Sequence, residues 1–220
     1  MAETAKLMSP DKKVILCSYE TNYAISWGRK ARDVFDECVP EYFGTKRNMR
    51  VNIQGNWETS KGGYMYCVGV GGGITGRGAD IFIIDDPVKN NEQAMSQVYR
   101  DKTVDWFQSV ASTRLSPGAS IIIIMTRWHP DDLAGRLLQA AAAGADQWEV
   151  VKYPALAEKD EEFREKGDAL HPERYSAEAL TQIQKAVGPR DWSALYQQNP
   201  VSDEGEYFNR EMIRYYDENE

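Results

Sequence analysis

Two short runs, Ile81–Ile84 (IFII) and Ser120–Met125 (SIIIIM), limit how this chain can fold more than any other feature. Neither alternates apolar with polar residues, so each reads as a strand covered on both faces, as in the parallel sheet of an α/β domain. The interval between them contains Asn91–Val110, a mixture of polar and apolar residues at helical spacing. A helix there suits the crossover that a parallel strand pair requires. Both runs end in polar residues: Asp85 and Asp86 follow the first, and Thr126, Arg127, Trp128 and His129 follow the second.

The flanking sequence adds elements of the same class. Val14–Cys17 is a short apolar run behind charged residues and predicts a buried strand. From Asn22 onward Ala24, Trp27, Ala31, Val34 and Phe35 recur at spacings of three and four, which predicts a helix closed by Pro40. Gly63–Val70 predicts a strand that runs into a glycine cluster, Gly69–Gly78. Downstream, Asp131 is placed to cap a helix carrying Leu133, Leu137, Ala140 and Ala141. Trp148–Tyr153 predicts another strand, and the charged stretch Glu158–Glu173 predicts a solvated loop. Ser176 caps a helix ended by Pro189, and Asp191–Gln198 predicts one more short helix.

Charge excludes a uniformly basic nucleic-acid-binding protein, because the formal net charge is −8. Most of it is local. Val201–Glu220 holds seven acids and two bases, which is −5 and leaves −8 − (−5) = −3 for the rest, so a basic patch on one face is compatible with the body of the chain. Three cysteines, Cys17, Cys38 and Cys67, match no zinc or disulfide spacing and predict reduced, mostly buried thiols. No run approaches the roughly eighteen apolar residues of a membrane span.

A buried strand leading into two carboxylates suits nucleotide hydrolysis. Ligands of open α/β sheets gather at the carboxyl ends of the strands, and phosphoryl transfer needs a metal clamp and a positioned water. Asp85 fits the metal-binding acid and Asp86 the acid that polarises the attacking water. Alone, the pattern is weak, since a strand ending in two turn-forming aspartates reads the same way. Thr126 at the end of the neighbouring strand suits a sensor of the γ-phosphate, although it equally suits a helix start, and Trp128 a core filler.

The strings TGRGADIFIIDDPVKN, MTRWHPDDLAGRLL and WSALYQQNPVSDEGEYF resemble, in order and separation, the large terminase subunits of tailed bacteriophages. The resemblance runs from about Val14 to Tyr216. It implies an incomplete three-layer fold of the P-loop NTPase type, with a mainly parallel sheet flanked by helices. Residues 1–200 would be the ATPase domain without its Walker A part, and 201–220 an acidic linker toward a nuclease domain. By the same resemblance Asp85 is the Walker B acid that ligates Mg²⁺ and contacts ATP. Asp86 stands where the family more commonly has a catalytic glutamate. Thr126, with Arg127 behind it, resembles the motif that couples hydrolysis to movement, and Arg77, between glycines in TGRG, resembles an arginine finger acting on a neighbouring subunit. The plainer role for Arg77 is a contact to DNA or to a nearby acid.

The family works on double-stranded DNA as a homo-oligomeric ring, with a portal protein and a small terminase subunit as partners, in the cytoplasm of a bacterial host. The glycine cluster is not a phosphate loop: it has no lysine and leads into a strand, and GKS or GKT occurs nowhere in the chain. ATP and Mg²⁺ are therefore expected to bind poorly or not at all without a Walker A segment that this sequence does not contain, and a separate chain carrying it belongs to the reading of a split gene. A non-catalytic assembly or scaffold fragment is the alternative expectation. A helicase-like ATPase is a third, disfavoured by MTRWH after the second strand.

Overall fold

The computed structural model describes residues 9–201, apart from Gln54 and Thr75 and the side chains of Asn52 and Ile53. The acidic segment after Val201, expected as a linker, lies outside the described residues. The chain divides between Met125 and Thr126 into two compact units.

The first unit is built on a six-stranded mixed sheet: β1 (Lys13–Ser18), β2 (Arg47–Ile53), β3 (Asn56–Thr59), β4 (Tyr64–Gly69), β5 (Ala79–Asp85) and β6 (Leu115–Ile124). Their order across the sheet is β2-β3-β4-β1-β5-β6. The four strands β4, β1, β5 and β6 run parallel, while β2 and β3 add an antiparallel hairpin at one edge. Between β5 and β6 the chain crosses through α2 (Asn91–Met95) and α3 (Gln97–Trp106), which continues as wider and tighter turns to Arg114. The crossover helix expected from Asn91–Val110 is therefore present, with Asn90 capping its first segment through a hydrogen bond from the Gln93 amide.

Pleating divides β1 and β5 between two faces. On one side Leu16, Met65 and Cys67 pack with Trp57 and with Ala24 of α1 (Thr21–Phe43), joined by Val14, Ile25, Ala31, Phe35 and Ile83. On the other side Phe82, fully buried, meets the ring of Trp106 from α3. Helices thus flank the sheet. Both faces of β5 are covered, as the run IFII predicts, and full burial of an aromatic side chain such as Phe82 is worth roughly 2–3 kcal/mol.

Three expectations for the first unit need correction. β6 is an edge strand with one open face: Ile122 and Ile124 are 43% and 55% exposed. A run of isoleucines reports what can be buried, not whether a neighbour exists to bury it. The inward stripe of α1 is Ala24, Gly28, Ala31 and Phe35, while Trp27 and Val34 face outward. Gly28 escaped the periodicity because it has no side chain, yet a Cβ there would stand 2.5 Å from Cys67 Sγ and 2.6 Å from the Gly55 oxygen. Its own carbonyl accepts from Trp57 Nε1 at 3.1 Å. Pro40 does not end α1, because it forfeits one amide donor near the end of the helix, where its carbonyl still accepts from Gly44; the stop is Gly44 itself, at φ 60°.

The second unit contains α4 (Leu133–Ala142), α5 (Ala177–Val187) and a short helical pair at Pro189–Asp191 and Trp192–Tyr196. Its core gathers Ala169, Leu180 and Trp192, with Leu156, Ile183 and Tyr196 packed against them. Trp148–Tyr153 forms no strand, and Val150, Val151 and Tyr153 are exposed. Apolar alternation alone does not make a strand without a paired backbone. Glu158–Glu173 is irregular, as its charge predicts, and Ser176 caps α5 by accepting from the Ala179 amide. Gly188, at φ 82°, terminates α5 one residue before Pro189.

Candidate functional site at the carboxyl rim of the sheet

The parallel register brings the carboxyl ends of four strands into one row. Ser18 pairs with Gly69 on one side and Asp85 on the other, and Asp85 pairs with Ile124. Ser18 and Asp85 occupy matching positions in the pleat and therefore share a face. The chain then turns sharply at Asp86, whose φ of 44° lies in the left-handed region that aspartate tolerates better than most residues. Its backbone is fixed on both sides: the Asp86 amide donates to the Ile124 carbonyl at 2.8 Å, and its carbonyl accepts from the Tyr19 amide at 3.0 Å. The acid pair is thus locked between β1 and β6.

Asp85 at this rim has no compensating charge among the described residues. Burial, followed by repulsion from Asp86, pushes the pKa of Asp85 upward. Beside it, the fully buried Ser18 hydroxyl has no hydrogen-bond partner among the described residues. A hydrated divalent cation would relieve all three conditions, offsetting two adjacent negative charges and giving the hydroxyl a polar neighbour. Mg²⁺ is commonly held by only one or two carboxylates plus water and phosphate, so two acids suffice for it. No group of three or more His, Cys, Asp or Glu suited to a protein-enclosed metal occurs among the described residues.

Ser18 was missed by sequence reasoning. The available signal was its position as the last residue of KVILCS, one place beyond the apolar run and so at the same rim as Asp85. Nearby, Thr21 Oγ1 accepts from the Gly69 amide at 3.0 Å and ties the start of α1 to the end of β4. Cys17 and Cys67 are free and buried, and burial pushes both thiols up to about 12, which makes them packing residues instead of nucleophiles.

Arg77 lies at the opposite end of β5 from the acid pair. The strand spans about 20 Å between them at the usual rise per residue, well beyond the reach of one side chain. The Arg77 guanidinium stacks over the rings of Tyr66 and Tyr64, 4.3 and 5.7 Å from their centroids. Thr126 and Arg127 belong to the second unit. There Arg127 Nε donates to Asp132 Oδ2 at 2.7 Å, with both side chains largely buried. Asp132, not Asp131, is the cap of α4, its Oδ1 accepting from the Gly135 amide at 2.8 Å. Asp131 instead pairs with Arg136 at 2.7 Å, and its amide donates to His129 Nδ1. Two adjacent aspartates before a helix leave the cap ambiguous in sequence; the extended backbone of Asp132 resolves it.

Taken together, the fold and rim define a parallel-sheet α/β protein that presents an acid pair where such sheets bind ligands. The sequence matches the family model of the terminase large subunit, T4likevirus-type, N-terminal, over residues 7–215, and the chain belongs to that family. The family points to phage DNA packaging. No curated protein matches the chain. No helix among the described residues is long and apolar enough to cross a membrane.

Proposed function

We propose that this chain forms part of an ATP-driven motor that moves double-stranded DNA into a procapsid, on a fold of the P-loop NTPase type. The observation that carries the reading is the register Ser18–Asp85–Ile124, which sets Asp85, a carboxylate with no cationic partner among the described residues, at the ligand-facing rim of a parallel sheet with Asp86 next to it. Asp85 would hold Mg²⁺ through its hydration shell, and Asp86 would orient and polarise the attacking water. Bound Mg·ATP supplies the phosphoryl group that is transferred to that water. Thr126 and Arg127 would report the state of hydrolysis to the second unit. Arg77, too distant to serve its own chain's acids, would act on those of a neighbour in a homo-oligomeric ring. The portal protein and the small terminase subunit complete the expected partners.

A phosphate-binding lysine has to come from another segment, since no GKS or GKT occurs in the sequence. The outer edge of β6 has no strand partner among the described residues, and its exposed Ile122 and Ile124 suit the addition of a further strand. The same observation favours a second reading, a non-catalytic assembly piece of a divided terminase. Calorimetric titration of the chain alone with Mg·ATP addresses the dependence on another segment, and micromolar binding would contradict it. In the assembled, ATP-competent motor, Asp85→Asn and Asp86→Asn are each expected to lower kcat by about 100-fold or more, the usual weight of one electrostatic or general-base group. Turnover at the level of the unmodified motor would leave the assembly reading standing and remove the motor role of these acids.

A further inference from the structure

We propose that Tyr64 and Tyr66 form a clasp that shapes the Gly73–Gly78 loop and holds Arg77 ready to meet an anion from outside the chain. Tyr64 and Tyr66 alternate with Met65 and Cys67 along β4, so they project from the face opposite α1. Their hydroxyls donate to the loop at two points that bracket Arg77: Tyr66 to the Gly73 carbonyl at 3.0 Å, and Tyr64 to the Gly78 carbonyl. Between these points Ile74, 1% exposed, anchors the loop in the core, and Gly76 reverses the backbone at φ 79°. The guanidinium then stacks over both rings.

A cation–π contact uses no hydrogen-bond acceptor and so leaves the N–H fork of the guanidinium to other partners. Arg77 is exposed, and among the described residues its guanidinium N–H donors have no acceptor, its backbone amide alone donating, to the Ile74 carbonyl. A guanidinium held over two rings with its fork of donors unused is pre-set for bidentate binding of a phosphate. An unclasped arginine on a glycine-rich loop would lose side-chain and backbone freedom on meeting the same ligand. Tyr64 and Tyr66 are therefore positioning residues, acting through Arg77.

This inference rests on the finger reading of Arg77 for its purpose, but its test does not. In the unmodified chain, NMR should show the Arg77 side-chain Hδ protons shifted upfield by the ring currents of the two tyrosines. Tyr66→Leu should abolish most of that shift and speed tryptic cleavage after Arg77 by roughly two- to fivefold, the size of one exposed cation–π contact. Tyr66→Phe keeps the ring and should retain the shift. Cleavage at other sites should be unchanged in both variants. In an assembled motor Tyr66→Leu should lower kcat by a similar factor at constant KM, with recovery in Tyr66→Phe. An unshifted Arg77 in the unmodified chain, which needs no variant to fold, overturns the clasp, as does unchanged cleavage in Tyr66→Leu. Undiminished turnover in Arg77→Ala removes the finger role and leaves the clasp intact.

Discussion

The carboxyl rim of the first unit and the start of α4 in the second unit each contain two consecutive aspartates, and they treat charge in opposite ways. At α4, Asp131 and Asp132 are matched by Arg136 and Arg127, and Asp132 also caps the helix. At the end of β5, Asp85 is desolvated and repelled by its neighbour, with an unpartnered buried hydroxyl beside it. Charge that is satisfied internally stabilises local structure, whereas charge left uncompensated at a fixed backbone position carries a standing cost and a capacity for an external cation. The contrast marks the acids at α4 as a structural pair and Asp85 as a carboxylate with no cationic side-chain partner among the described residues.

The largest expected effect comes from breaking the satisfied side. Arg127→Gln leaves the Asp132 carboxylate buried without its cation and should destabilise the second unit by about 3 kcal/mol, the lower range for removing one partner of a buried pair. Chemical denaturation followed through Trp192 fluorescence would read it. Arg127→Lys keeps the charge but not the fork and should recover only part of the loss. If Arg127→Gln unfolds at the unmodified denaturant concentration, the pair is not structural, and the contrast with the rim collapses.

A smaller effect sharpens the same side of the comparison. The second unit satisfies backbone as thoroughly as charge: Gln197 accepts from the Leu156 amide at 3.0 Å and donates to the Leu156 carbonyl at 2.9 Å. The string YQQNP, which contributes to the family resemblance, is in this respect a clamp on an irregular segment. Gln197→Ala should cost about 1–2 kcal/mol, the net worth of two backbone contacts, with faster amide exchange at Leu156. Unchanged exchange there would show that the segment is held by packing alone.

Legibility in the sequence followed the same division. Strands β1 and β5 were readable because each contains a buried apolar run, β4 because its Tyr and Val content alternates in part, and Asp85 and Asp86 were readable because they follow such a run directly. The hairpin strand β2, RNMRVNI, was not, since its polar residues carry no period and it is specified by pairing with β3. Ser18 and the open face of β6 were hidden for a related reason: both depend on what lies beside a strand, and spacing along one strand carries no such information. The Arg127–Asp132 pair was hidden because carboxylates and guanidiniums five apart in an irregular segment have no fixed geometry until the cap forms.

The smallest effect tests the unsatisfied side most directly. Because burial and Asp86 raise the pKa of Asp85, the folded chain holds that proton more tightly than the unfolded chain does. The resulting stabilisation is fully present below the ordinary value of 3.8 and is lost as pH rises through the raised folded value. At neutral pH the ionised side chain is consequently a burden, and Asp85→Asn, which removes the charge, should stabilise the fold. Asp85 is only partly buried, so screening keeps the gain near ~0.5 kcal/mol, roughly 1–2 °C in Tm for a chain of this size. Thermal melts should show that difference at pH 7 and none near pH 3, where the acid is neutral in both states. Mg²⁺ at the rim offsets the same burden, so its addition at pH 7 should narrow the gap by raising the melting point of the unmodified chain alone. A lower melting point for Asp85→Asn at pH 7 would mean that an internal partner already compensates the carboxylate, and the rim would then be as self-contained as the start of α4.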